Sequence, residues 1–131
     1  MSHLFEYAVL RVVPRVERGE FLNAGVVLHC ATKGFLDARV HLDPARLAAL
    51  DPGADEAVVL AHLEAARLVC AGGPGAGYFG LLPRSQRFGW LAAPRSAVVQ
   101  PSPVHTGFSE DPKGTLEHLL RVMVLPPTAE V

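Results

Sequence analysis

Apolar and polar residues alternate with a period of two along the first third of the chain. From Phe5 to Val13, β-branched and aromatic types predict a strand that stops at Pro14, ahead of the charged turn Arg15-Val16-Glu17-Arg18-Gly19. Between Glu20 and Cys30 one side of the alternation is wholly apolar: Leu22, Ala24, Val26, Leu28 and Cys30. The other side carries Phe21, Asn23, Gly25, Val27 and His29, so the first side is expected to face the core. Thr32-Lys33-Gly34 turns the chain into a third strand, where Leu36, Ala38, Val40 and Leu42 alternate with Phe35, Asp37, Arg39 and His41. The three strands read as an antiparallel meander. Its second face would collect Tyr7, Arg11, Phe21, Asn23, Asp37, Arg39 and His41, the composition of a solvated sheet face or, with aromatics beside arginine, of a ligand surface.

The period then changes to that of helices. Asp43-Pro44 starts a short helical turn through Leu47 and Leu50, ended by Asp51-Pro52-Gly53. A longer helix from about Asp55 puts Val59, Leu63, Ala66 and Cys70 on one stripe. The run from Gly72 to Gly77 ends it and forms a flexible connection, and Pro83 to Phe88 reads as another helical turn leading to Trp90. A final helix begins near Asp111-Pro112, runs through Leu116, Leu119, Leu120 and Met123, and is broken by Pro126-Pro127, with a loose tail beyond. The expected fold class is α+β: a mainly antiparallel sheet of three or four strands, with Ala97 to Gln100 as the candidate extra strand, and helices packed on one face. No repeat or boundary divides the 131 residues, so one domain with an ordered core over about residues 4–125 is expected.

Composition narrows the function classes. Half of the residues are apolar, enough to close a core without disulfide or metal staples. Twelve Lys and Arg stand against thirteen Asp and Glu, which removes the global field that draws a protein to nucleic acid or to a membrane surface. No apolar run reaches the span of about 20 residues that crosses a bilayer, and the first residues lack the pattern of a signal peptide, so a cytosolic location is expected. Cys30 and Cys70 sit in apolar patterns and read as buried, reduced thiols. The histidines are too scattered for a metal site, and the glycine run follows a helix and lacks a Gly-Lys-Ser or Gly-Lys-Thr close, so neither a metal nor a nucleotide cofactor is expected.

Candidate chemistry concentrates in Ala93-Pro94-Arg95-Ser96-Ala97-Val98-Val99-Gln100-Pro101-Ser102-Pro103-Val104-His105-Thr106-Gly107. Gln100 and Ser102 each precede a proline and are pushed toward extended geometry, which presents Ser102, His105 and Thr106 on a stiff rail. Arg95 beside Ser96, or Arg18 at the Gly19 turn, offers a planar fork for a phosphate or carboxylate, and equally for a pairing with Glu17, Glu20 or a loop carbonyl. A nucleophile-and-base reading would pair Ser96 or Ser102 with His105, although strand alternation tends to set Ser102 and His105 on opposite sides.

Two blocks carry a resemblance. Glu17-Arg18-Gly19-Glu20-Phe21-Leu22-Asn23-Ala24-Gly25-Val26-Val27, together with Ala93-Pro94-Arg95-Ser96 and Val99 to Gly107, resembles the bacterial domain-of-unknown-function family 3037, over the span from Tyr7 to about Val122. The family has no assigned activity. Its members are often encoded beside a HipA-like Ser/Thr kinase, which implies a small accessory or inhibitory partner of such a kinase. The leading expectation is therefore a non-catalytic interaction module whose surface combines Arg18, Asn23, Arg95, Ser96, Gln100, Ser102, His105 and Thr106. The alternative is an enzyme or binding protein for a phosphate-containing small molecule, with Arg95 holding the anion and His105 transferring a proton. Either reading needs the two blocks to meet in space.

Overall fold

The computed structural model describes residues 1–127; the loose tail expected past Pro127 lies outside them. Strands β1 (His3–Val12), β2 (Leu22–Cys30) and β3 (Phe35–Val40) form the antiparallel meander, joined by single 3-10 turns at Val16–Arg18 and Ala31–Lys33. Two short strands, β4 (Val99–Pro101) and β5 (His105–Ser109), pair antiparallel with the remaining edge of β1. Row order is β3-β2-β1, with β4 and β5 sharing the fourth row end to end. The α+β class holds, and the extra strand expected near Ala97 to Gln100 is one half of that fourth row.

Helices are set by their caps. The Asp43 carboxylate accepts from the backbone N–H groups of Ala45 and Arg46 and starts α1 (Pro44–Leu50), with Pro44 in the first turn, where no N–H is needed. Asp55 accepts from the Val58 N–H at 3.2 Å and starts α2 (Glu56–Ala71). The chain then passes through 3-10 turns over Pro74–Leu81 into α3 (Arg84–Leu91), and Asp111 caps α4 (Pro112–Met123) by accepting from the Gly114 N–H. The glycine connection thus has helical structure of its own.

Helices pack on both faces of the sheet, where the sequence pattern suggested one. On the first face Ala8, Leu10, Val12, Val27 and Ala38 meet Leu47 of α1, Val59, Leu63 and Ala66 of α2 and Phe88 and Leu91 of α3. On the second, Phe5, Val26, Leu28 and Cys30 meet Leu116 and Leu119 of α4, followed by Val124. Fully burying leucines such as Leu116 is worth about 1.5–3 kcal/mol each, a gain α4 finds only on this second face.

The physical reason is a bulge. Leu10 pairs with Gly25 but Arg11 pairs with Asn23, so Ala24 is an extra residue in β2. Its carbonyl accepts from the His41 N–H at 2.8 Å. Parity reverses there: Leu22 joins the first core, whereas Val26, Leu28 and Cys30 join the second. The expected apolar side is buried throughout but divided between two cores, and Val27 and His29 on its reverse are buried as well. Tyr7, Arg11, Asn23 and Arg39 do share the second face by register, yet α4 covers part of it. Asn23 donates from Nδ2 to the Met123 carbonyl at 3.0 Å, and Arg39 donates to Glu117 at 2.8 Å.

Both cysteines are buried and unbridged, as their surroundings in the sequence predict. Burial pushes the Cys70 thiol up to about 12, with the Asp37 carboxylate acting in the same direction.

Candidate functional site

The fourth row of the sheet is the proline-bounded segment. Pro101 pairs opposite Leu10, and the neighbouring bond runs from the Ser102 N–H to the Val9 carbonyl at 2.8 Å, so the proline nitrogen faces away from β1. Ser102 is buried, and its hydroxyl stands in for a backbone carbonyl: Oγ accepts from the Val9 N–H at 2.8 Å and donates to the Pro103 carbonyl at 2.9 Å. From Pro101 opposite Leu10 to His105 opposite Tyr7 the fourth row has one residue more than β1. Ser102 is thus the pin of a second bulge, with its hydroxyl engaged on both sides.

Past this bulge β5 is an open edge. The amides of Val9 and Val13 turn toward the fourth row, and alternation gives the same direction to Tyr7, Phe5 and His3. His105, Gly107 and Ser109 therefore pair inward, while the backbone groups of Thr106 and Phe108 point outward. The Phe5 ring lies over Gly107, where a Cβ would come within 2.6 Å of it, so a side chain there would displace the ring. The Phe5 ring stacks on Tyr7, and Tyr7 on His105 at 5.3 Å between centroids. Leu4 and Phe108, opposite each other, are 51% and 73% exposed, an apolar pair beside the open edge.

The two signature blocks pair with opposite edges of β1, which stands between them, where the sequence pattern required direct contact. Arg11 pairs with Asn23 on one side and Gln100 on the other; Tyr7 stands between Leu28 and His105, and Glu6 between His29 and Thr106. Gln100 folds back to donate to the Ala97 carbonyl at 2.8 Å. The Arg11 guanidinium lies 4.2 Å over the Phe21 ring, and Arg11 Nε and Asn23 Oδ1 are both buried without a hydrogen-bond partner among the described residues. Arg18 stays apart, at the hairpin turn, exposed and bonded to Glu20; that bond raises the Arg18 guanidinium and lowers the Glu20 carboxyl from their ordinary values.

Arg95 and His105 stand on opposite faces of the sheet. Arg95 lines a cavity with His62 and Ala66 of α2 and with Val99 and Pro101, on the first face; His105 stacks on Tyr7 on the second. The guanidinium lies 4.5 Å over the Trp90 ring and donates to the carbonyls of Trp90 and Ala93. It makes no ion pair among the described residues, and partial burial lowers it from its ordinary value. Ser96, next to it, is exposed. The sequence reading did not select Arg11, Trp90 or His62. The alternation placed Arg11 beside Asn23 but could not reveal its unpaired Nε, and nothing local to Trp90 or His62 marks them as cavity lining.

Ser102 and His105 do not assemble a nucleophile and base, since the Ser102 hydroxyl is bound within the bulge. Among the described residues no group of three or more His, Cys, Asp or Glu side chains could hold a metal ion. Among the described residues no single helix is long and apolar enough to cross a membrane.

A model of the protein family described as Protein of unknown function (DUF3037) matches residues 7–124. The chain belongs to this family. The match takes in both signature blocks, all five strands of the sheet in whole or in part, and the helices on its two faces. No curated protein and no solved structure matches the chain.

Proposed function

We propose that the chain is a non-catalytic interaction module that takes an extended segment of a protein partner along β5. The observation that carries this is the contrast within the fourth row. Pro101 denies the β4 half an outward donor, while the β5 half leaves the Thr106 and Phe108 backbone groups unpaired beside the exposed Leu4 and Phe108 side chains. Natural edge strands are normally blunted by proline, lysine or a covering loop, and an uncharged open edge is the geometry of strand addition. On this reading Ser102, Gln100 and Asn23 hold the platform, and His105 and Thr106 meet the partner on its two faces. Arg18, Arg95 and Ser96 lie at the margins. The partner suggested by the family resemblance is a HipA-like Ser/Thr kinase.

The alternative use of Arg95 and His105 on one phosphate-containing molecule is less well supported, because the two side chains stand on opposite sides of the sheet.

The test is co-purification with a HipA-like Ser/Thr kinase, the partner that the family resemblance suggests. Thr106→Pro removes an outward N–H without touching the bonds to β1, repeating in β5 the device of Pro101. The wild type is expected to retain the kinase and a folded Thr106→Pro variant to lose it; an unchanged complex would remove the edge from the interface. A dimer of the chain that the same substitution dissolves, with no kinase bound, would assign the edge to a second copy and overturn the kinase as partner.

A further inference from the structure

The cavity at Arg95 lies on the far side of the sheet from β5's aromatic stack, and its chemistry is of a different kind. It has a volume of about 120 Å³, opens to the surface, and is lined by Leu10, Ala66, Leu91 and Val99 together with Arg95, Trp90 and His62. A water-sized group occupies about 30 Å³, so the space takes about four such groups, which suits the short apolar tail of a small molecule whose polar end sits at the open mouth. Its wall is mainly apolar, with a polar part to which the Arg95 guanidinium and the His62 ring belong, and no carboxylate is among its lining residues.

Arg95 is held ready for an anion. The guanidinium carbon sits over the Trp90 ring, and the two carbonyls it bonds, those of Trp90 and Ala93, take Nη2 and Nε. Nη1 has no acceptor among the described residues. A planar fork already oriented binds a planar carboxylate with little further loss of freedom. A phosphate would bring further charge and oxygens into a space that offers a single permanent cation and aliphatic carbon, and desolvating that charge is costly.

We propose that this cavity is a binding site for a short-chain aliphatic monocarboxylate of about three to five carbon atoms, its carboxylate on Arg95 and its tail against Leu10, Ala66, Leu91 and Val99. The site is separate from the β5 edge, so it holds or fails independently of strand addition.

Trp90 is the chain's only tryptophan, which makes its fluorescence a reporter of the cavity. Titration with sodium butanoate is expected to give a saturable change with a Kd of about millimolar order. Butan-1-ol, sodium chloride and inorganic phosphate at equal concentration should give none. Arg95→Gln should abolish the response. Ala97→Leu, which fills the cavity and leaves Arg95 in place, should weaken binding about tenfold, and circular dichroism checks that both variants are folded. Absence of a saturable change up to about 50 mM, an undiminished response in either folded variant, or equal binding of inorganic phosphate would overturn the assignment.

Discussion

Ser102 is a hydroxyl with a structural task. Between two prolines that cannot donate, it supplies the acceptor that the Val9 N–H needs and shields its own proton against the Pro103 carbonyl. Ser102→Ala leaves a buried donor unpaired, and such a group costs about 1–3 kcal/mol. The expected outcome is a lower urea midpoint at an unchanged m-value, measured by chemical denaturation. The sequence marks this residue by its proline neighbours, which enforce extended geometry, but a reading from local stiffness cannot tell a presented hydroxyl from a buried one. Arg95 is the converse case. Its type and loop position pointed to anion recognition, while the side chains around it, Trp90 and His62, come from elements that only tertiary packing brings there.

Among the elements, caps were the most legible features. Asp43, Asp55 and Asp111 each accept from the first turn of the helix they precede, because that chemistry is complete within four residues. The far end of α2 is closed by a distant residue instead. Arg87 of α3, almost wholly buried, donates to the carbonyls of Val69 and Cys70 at 2.8 and 2.7 Å and to that of Leu82 at 3.0 Å. Gly72 makes room for it: its φ is +72°, and a Cβ there would lie 2.8 Å from Arg87 Nη1. The last carbonyls of a helix have no partners of their own, and this guanidinium binds two carbonyls of that final turn. Arg87→Met keeps the volume but leaves these acceptors dry, at a cost of about 2–3 kcal/mol. Hydrogen exchange should show the loss concentrated in the second half of α2 and in α3. The sequence hinted at α3 through Pro83 and the apolar Phe88, but whether an arginine in a short helix points inward is decided by the acceptors opposite.

Over the whole molecule, one sheet separates two cores, and its two inner strands, β1 and β2, each serve both. The α+β class was legible because the change from period two to helical spacing is strong and local. The number of covered faces was not, since it depends on the extra residue at Ala24, which shows only in the pairing with β1. Burial of this extent also gives the fold a dependence on alkaline pH. The Cys70 thiol is held protonated up to about 12 against an ordinary 9.0. Above pH 9.0 the unfolded chain releases a proton that the folded chain keeps, so stability falls as pH rises from there toward 12, and below 9.0 this group contributes no pH dependence. Urea unfolding at pH 8 and pH 10 is expected to show a drop in the wild type that is smaller in Cys70→Ala. An equal drop in both would assign the alkaline sensitivity to other groups.

The irregularity at Ala24 also limits how the chain can err while folding. A regular strand displaced by two residues keeps its greasy side inward, and such a misalignment is only mildly penalised. Here the two halves of β2 answer to opposite sides of the sheet, so a displacement that carries one half across the kink turns its side chains the wrong way. The strand works like a key cut on both edges, which turns in a single alignment.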